Sequence, residues 1–212
     1  MLAASRGALH VNLATVSPAA SAAAAEAHAE HGCGYVAAPV FGSVAIASAG
    51  QLQVLAAGPG TQIDRAQPFF DAIGARTWWL GEEPHQANVV KILGNFLIAS
   101  AIQALSEAVS TGERADVPAD LLVEVLAGTV FPGRVYGGYG SLIATRAYRP
   151  AGFTTTLGRK DVSLALYLAA RAGLRLPFGE VLRAVYDDAL SHGLADWDWS
   201  SIAELQRSRE AG

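Results

Sequence analysis

The front of the chain alternates short apolar runs with stretches of helical spacing. Residues 8–15 read as a strand. Ser17-Pro18 then opens an alanine-rich helix to about His31, with Ser17 as N-cap and Pro18 in the first turn, where its missing N–H is not needed. Gly32-Cys33-Gly34 breaks that helix, and residues 35–40 form a second strand. A short helical piece at 44–49 leads to a third strand at 52–56. Thr61 is expected to cap a helix that runs to Ile73 and is ended by Gly74, and a last short strand follows at 77–80. Strand, helix, strand at this spacing predicts an α/β layer architecture with at least partly parallel strands.

From Glu82 the strand signals stop. The pattern predicts a long helix at 85–112, another at 118–127 opened by Pro118, and further helices at 157–172, 178–192 and 200–210. The Gly/Tyr-rich stretch 133–140 reads as a loop, or as the loose entry to another helix. The chain therefore divides near Glu82 into an α/β part, residues 1–82, and an all-helical part, residues 83–212, with no internal repeat. The most apolar run, 92–102, is interrupted by Gly94, Asn95 and Ser100 and flanked by Lys91 and Gln103. It reads as a buried helix and not as a membrane span.

Composition narrows the function classes. With 51% hydrophobic and 16% charged residues the chain is expected to fold around a core and not to be disordered. A net charge of -4 offers no basic field for nucleic acid. A single cysteine, Cys33, cannot form an internal disulfide, and a reducing cytoplasm is the expected setting. The start carries Arg6 and small residues without an unbroken apolar core, so no signal peptide is expected. Of the 15 basic residues only Lys91 and Lys160 are lysines. A coding bias explains abundant arginine and alanine. It also singles out the two lysines, because a site needing a compact or deprotonatable amine cannot accept arginine.

In Lys91-Ile-Leu-Gly-Asn95 the lysine and the asparagine are one helical turn apart and share a face, with Gly94 leaving space beside them. Val89, Val90, Ile92, Leu93, Phe96 and Leu97 surround Lys91 with apolar groups. Partial desolvation of the amine would lower its pKa and let it exchange a proton near neutral pH, and Asn95 could hold a substrate oxygen. The plainer alternative is a lysine snorkelling to the surface. Ala38-Pro39-Val40-Phe41-Gly42-Ser43 lies at a strand's end, where open α/β sheets place ligands. There Gly42 permits close approach and the Ser43 hydroxyl could hold a carboxylate; an ordinary turn is the alternative. In Leu157-Gly-Arg-Lys160-Asp161, at an expected helix start, Asp161 suits the helix dipole and Lys160 does not. That placement suggests an anionic partner for Lys160, or simply a surface lysine. No Gly-x-Gly-x-x-Gly follows any strand, so the phosphate-binding start of a dinucleotide domain is expected upstream or absent.

These segments together resemble the β-hydroxyacid dehydrogenase family, which includes 3-hydroxyisobutyrate dehydrogenase, glyoxylate/succinic semialdehyde reductases and 6-phosphogluconate dehydrogenase. The resemblance rests on Ala14-Thr15-Val16-Ser17-Pro18, on Ala38-Pro39-Val40-Phe41-Gly42-Ser43 with Ala49-Gly50-Gln51-Leu52, and on Asn88-Val-Val-Lys91-Ile-Leu-Gly-Asn95. It continues in Glu107-Ala108 and in Gly152-Phe153 leading to Lys160-Asp161. It implies the later part of a Rossmann-like domain joined by a long helix to a helical dehydrogenase domain. It further implies a nicotinamide cofactor, NADP or NAD, a small hydroxy acid or aldehyde substrate, and a homodimer formed through the helical domain. By the same resemblance Lys91 matches the proton-donating lysine and Asn95 a substrate-binding asparagine. Thr15 and Lys160 match cofactor contacts, and Gly42 and Ser43 fall in a serine-glycine-glycine turn that holds the substrate carboxylate.

The chain departs from that pattern at Phe41, where the family has the turn's serine, and at Ser43, where it has the second glycine. A bulkier or less polar substrate is therefore expected. Two other readings remain open at this level. One is a non-catalytic helical interaction module derived from the family. The other is an imine reductase-like activity, against which Lys91 argues, since an iminium needs no proton donor there.

Overall fold

The computed structural model describes residues 6–209. They fall into two compact units that divide between Gly94 and Asn95.

The first unit contains β1 (Leu9–Asn12), α1 (Pro18–Glu30), β2 (Gly34–Ala37), β3 (Val40–Phe41), α2 (Val44–Ser48), β4 (Leu52–Ala56), α3 (Gly60–Ile73), β5 (Gly74–Trp79) and the start of α4 (His85–Arg114). The pairs β1–β2 and β4–β5 are parallel, while β3 pairs antiparallel with β4. Ala37 and Ala57 exchange backbone hydrogen bonds in both directions and so link the two short sheets. Side chains alternate along the strands as period two requires. Val36, Ala38, Val54 and Ala56 pack with Ile63, Ala66 and Phe70 of α3. Tyr35, Ala37 and Ala57 pack on the opposite side with Ala24 and Ala25 of α1 and Ala87 of α4. Helices thus cover both faces, the usual condition for parallel strands to bury their backbone.

The second unit holds the rest of α4 together with α5 (Ala119–Thr129), α6 (Arg134–Thr145), α7 (Thr155–Arg171), α8 (Pro177–Ser191), a 3₁₀ turn (Trp199–Ser201) and α9 (Ile202–Ser208). By length and apolarity alone α4 could cross a bilayer, but its inward stripe is committed to protein. Ala99 and Ile102 join Val162, Leu182, Tyr186 and Trp199, while Leu105 and Val109 join Val123, Ile143 and Tyr148. Arg207 of α9 clamps Glu113 at the end of α4 through Nε to Oε2 at 2.7 Å and Nη2 to Oε1 at 3.0 Å.

An α/β start followed by helices is what the hydrophobic pattern indicates, and several boundaries differ for local reasons. Thr61 does not cap α3. The helix starts at Gly60 after Pro59, whose carbonyl accepts from Gln62 N and Ile63 N. Gly74 opens β5 directly, without a turn between helix and strand. The stretch 133–140 is neither loop nor loose entry: most of it lies in α6. Gly140 lets that helix approach α5 closely, since a Cβ there would lie 2.6 Å from Val123 Cγ1. α7 begins at Thr155, capped by the Thr154 hydroxyl on Leu157 N at 3.3 Å, so Lys160 and Asp161 sit in its second turn and not at its start.

Candidate active site

Two loops of the first unit meet at α4. The segment leaving β1 is shaped by Asn12, whose side-chain oxygen accepts from Ala14 N at 2.9 Å, and it ends at Ser17, the N-cap of α1. Asn88, buried on α4, donates from Nδ2 to Ala14 O at 3.4 Å. This ties the half-buried Thr15 to the helix one turn before Lys91.

The turn after β3 comes to the same helix. Phe41 is held in register by pairing with Gln53 of β4. Gly42 follows at φ +147, and a Cβ there would lie 2.6 Å from Leu52 Cδ2, so both backbone and space require glycine. Ser43 is exposed, and its hydroxyl caps α2 by accepting from Ile46 N at 3.5 Å. The Phe41 ring is pressed against the α-carbon of Gly94, where any side chain would overlap it. Gly94 therefore does leave space on α4, and Phe41 fills it. The Lys91 amine lies 4.3 Å from the centre of the same ring. Lys91 itself is half-buried. Its apolar neighbours divide, with Ile92 fully buried and Val90, Leu93 and Leu97 exposed along another side of the helix.

In the second unit Asn95 and Asp161 are buried, and Asn95 Nδ2 donates to Asp161 Oδ2 at 2.5 Å. The exposed Lys160 places Nζ 3.0 Å from Asp161 Oδ1. An anionic partner for Lys160 thus exists within the chain itself. Asp161 links Asn95 of α4 to Lys160 of α7, a role that sequence reasoning missed, as it missed the contacts of Asn88 with Ala14 and of Phe41 with α4. The loop entering α7 is fixed by Asp198, which accepts from Gly152 N at 3.1 Å and Phe153 N at 3.2 Å.

The arrangement places an amine on an aromatic ring beside the turn after β3, on the helix that also holds the loop at the carboxyl end of the parallel strand β1. Open α/β sheets bind ligands at such strand ends. Among the described residues no cluster of His, Cys, Asp and Glu has the make-up of a metal site.

Residues 86–206 match the family described as the NAD-binding domain of NADP-dependent 3-hydroxyisobutyrate dehydrogenase, and residues 1–81 match the NAD binding domain of 6-phosphogluconate dehydrogenase. An uncharacterized oxidoreductase of Bacillus subtilis is 34% identical over 194 residues, which cover 92% of this chain and 68% of that protein. Glyoxylate/succinic semialdehyde reductase 1 of Arabidopsis thaliana is 30% identical over 202 residues, covering 95% of this chain and 69% of that one. The chain thus spans about two thirds of the length of these relatives. The crystal structure of 3-hydroxyisobutyrate dehydrogenase from Mycobacterium tuberculosis with L-serine superposes with a TM-score of 0.86 at 25% identity, covering 98% of this chain and 73% of that one.

Proposed function

The chain belongs to the β-hydroxyacid dehydrogenase family of NAD(P)-dependent oxidoreductases, and on that footing we propose that it reduces a small carbonyl compound, an aldehyde or keto acid, with Lys91 as proton donor. The observation that carries this reading is the convergence on two successive turns of α4 of the Lys91 amine, the Ala14–Thr15 segment and the turn after β3. The comparisons give no support to a non-catalytic module. The catalytic machinery is assigned to the later part of a nucleotide-binding domain, residues 1–82, and a helical dehydrogenase domain, residues 83–212.

The residues present fit a nicotinamide group. Asn88 Oδ1 is buried and has no hydrogen-bond donor among the described residues. It lies on the amide that holds the Thr15 segment, an acceptor of the kind a carboxamide N–H satisfies. When bound, the reduced cofactor, NADPH or NADH, supplies the hydride. Lys91 in its ammonium form donates to the carbonyl oxygen and gives up a proton as charge develops there, then recovers one from solvent. Asn95, oriented by Asp161, offers its amide to a substrate oxygen. Thr15 and Lys160 contribute contacts to the cofactor. Gly42 and Ser43 line the substrate turn, where the Ser43 hydroxyl caps a helix and Phe41 brings an apolar ring. That pairing favours a substrate less dependent on a hydroxyl-held carboxylate.

The decisive measurement is NADPH-dependent and NADH-dependent reduction of glyoxylate and succinic semialdehyde by the parent and by Lys91→Ala. Turnover falls by roughly two to four orders of magnitude, the range for removing a positioned general acid, while cofactor affinity is retained. Undiminished turnover in Lys91→Ala would remove the mechanism. The protein is further assigned to the cytoplasm and to a homodimer, for which the exposed Val90, Leu93 and Leu97 supply apolar surface to cover. Sedimentation at twice the chain's 22.0 kDa checks the dimer, and a monomer at micromolar concentration refutes it.

A further inference from the structure

Phe41 closes β3 directly before the Gly42 turn, and the structure shows what its ring does there. Its backbone has little freedom. β3 is only Val40–Phe41, paired to β4 through Phe41 and Gln53, and the next residue, Gly42, is locked at φ +147 between Leu52 and Ile46. The ring is wedged against α4 at Gly94, the residue three positions beyond Lys91 and hence on the same helical face. The Lys91 nitrogen sits 4.3 Å from the ring centre, inside the range of about 6 Å over which a ring's negative face attracts a cation. The ring thus adds an attractive contact that favours this position of the amine among those open to a four-carbon stem.

We propose that Phe41 is the positioning residue of the Lys91 amine: wedged at Gly94, its ring holds the charged nitrogen in the pose from which the proton is given up. This rests on the reading of Lys91 as proton donor, but the contact itself can be tested without turnover. The chain has only two lysines, Lys91 and Lys160, so protein labelled with ¹³C-lysine carries two εCH₂ signals, assigned with Lys160→Arg. Ring current moves the Lys91 signal upfield of the Lys160 signal in the parent. Phe41→Tyr keeps that shift, whereas Phe41→Leu and Phe41→Met lose it, and circular dichroism verifies that each variant is folded. Competitive acetylation followed by mass spectrometry gives a second readout. Loss of the ring's attraction for the ammonium speeds acetylation of Lys91 about two- to fivefold relative to Lys160 in the Leu and Met variants, but not in Tyr.

An εCH₂ signal that stays put in both Phe41→Leu and Phe41→Met overturns the proposal, as does an acetylation rate that is equal in all variants. If the shift behaves as stated while Lys91→Ala keeps full turnover, the proton-donor reading falls and the ring–amine contact stands. In the active enzyme Phe41→Leu lowers kcat with little change in the cofactor KM, and Phe41→Tyr restores it. An effect on the cofactor KM alone would also overturn the positioning role.

Discussion

His10 and His28 meet beside the β1–β2 pair, Nδ1 to Nε2 at 2.9 Å, with the Tyr35 ring 5.4 Å and 5.1 Å from theirs. Burial first, and then the neighbouring His28, hold His10 below its ordinary value of 6.5. The unfolded chain therefore takes up a proton near pH 6.5 that the folded one resists, so stability falls as pH drops below that value. The loss continues until the pH passes through the lowered folded value, and then levels off. Because His10 keeps an exposed side, the effect is modest. Thermal unfolding followed from about pH 7.5 to 5 shows the slope, and His10→Asn flattens it; an identical slope in that variant would rule out this histidine as its source. Contacts of this kind were illegible in the sequence, because a partner eighteen positions away leaves no local signature. The same holds for Asn88 on Ala14 O and for Phe41 under Lys91. Lys91, Asn95, Gly42, Ser43, Thr15 and Lys160 were legible as motif positions. What each touches was not, since a motif fixes residue type and spacing but not which distant side chain fills the gap.

Among the elements, the long α4 followed from its helical spacing and the early strands from their short apolar runs, though the single strand expected at 35–40 divides into β2 and the antiparallel β3. α6 did not, because glycine discourages a helix by about 1 kcal/mol per residue when packing is ignored. Here packing decides, as Gly140 admits Val123 where a larger residue would not fit. The junction before α7 depends on one carboxylate. Asp198 is almost fully buried and accepts from Gly152 N and Phe153 N with one oxygen and from Ser200 N and Ser200 Oγ with the other. Asp198→Ala strands those donors, and a loss on the order of 3 kcal/mol is expected from charge-assisted bonds of this kind. Urea unfolding measures it. Hydrogen exchange should show the lost protection concentrated at residues 152–155, and protection unchanged there would refute the clamp.

For the whole molecule, the division of the sequence into an α/β start and a helical remainder reflects a physical change in how apolar surface is covered. The first unit buries both faces of β2 and β4, so residues such as Tyr35, Val36, Ala37 and Ala38 are apolar in an unbroken run, while β5 leaves Ala75, Arg76, Trp78 and Trp79 exposed. The second buries a stripe of each long helix and leaves apolar residues such as Leu97, Leu121, Val125 and Val181 exposed. Composition could say little more, because a net charge of -4 and one cysteine exclude partners without naming any. One economy of the helical unit has a practical outcome. Gly128 at the end of α5 and Gly138 inside α6 face open space, where an added methyl group would touch nothing. Their flexibility therefore serves no close approach, unlike that of Gly140. Gly138→Ala should raise the melting temperature by a few degrees, corresponding to about 0.5–1 kcal/mol, and calorimetry would show at once whether it does. A tougher scaffold for engineering would then be two methyl groups away, at positions remote in sequence from the residues that carry the chemistry.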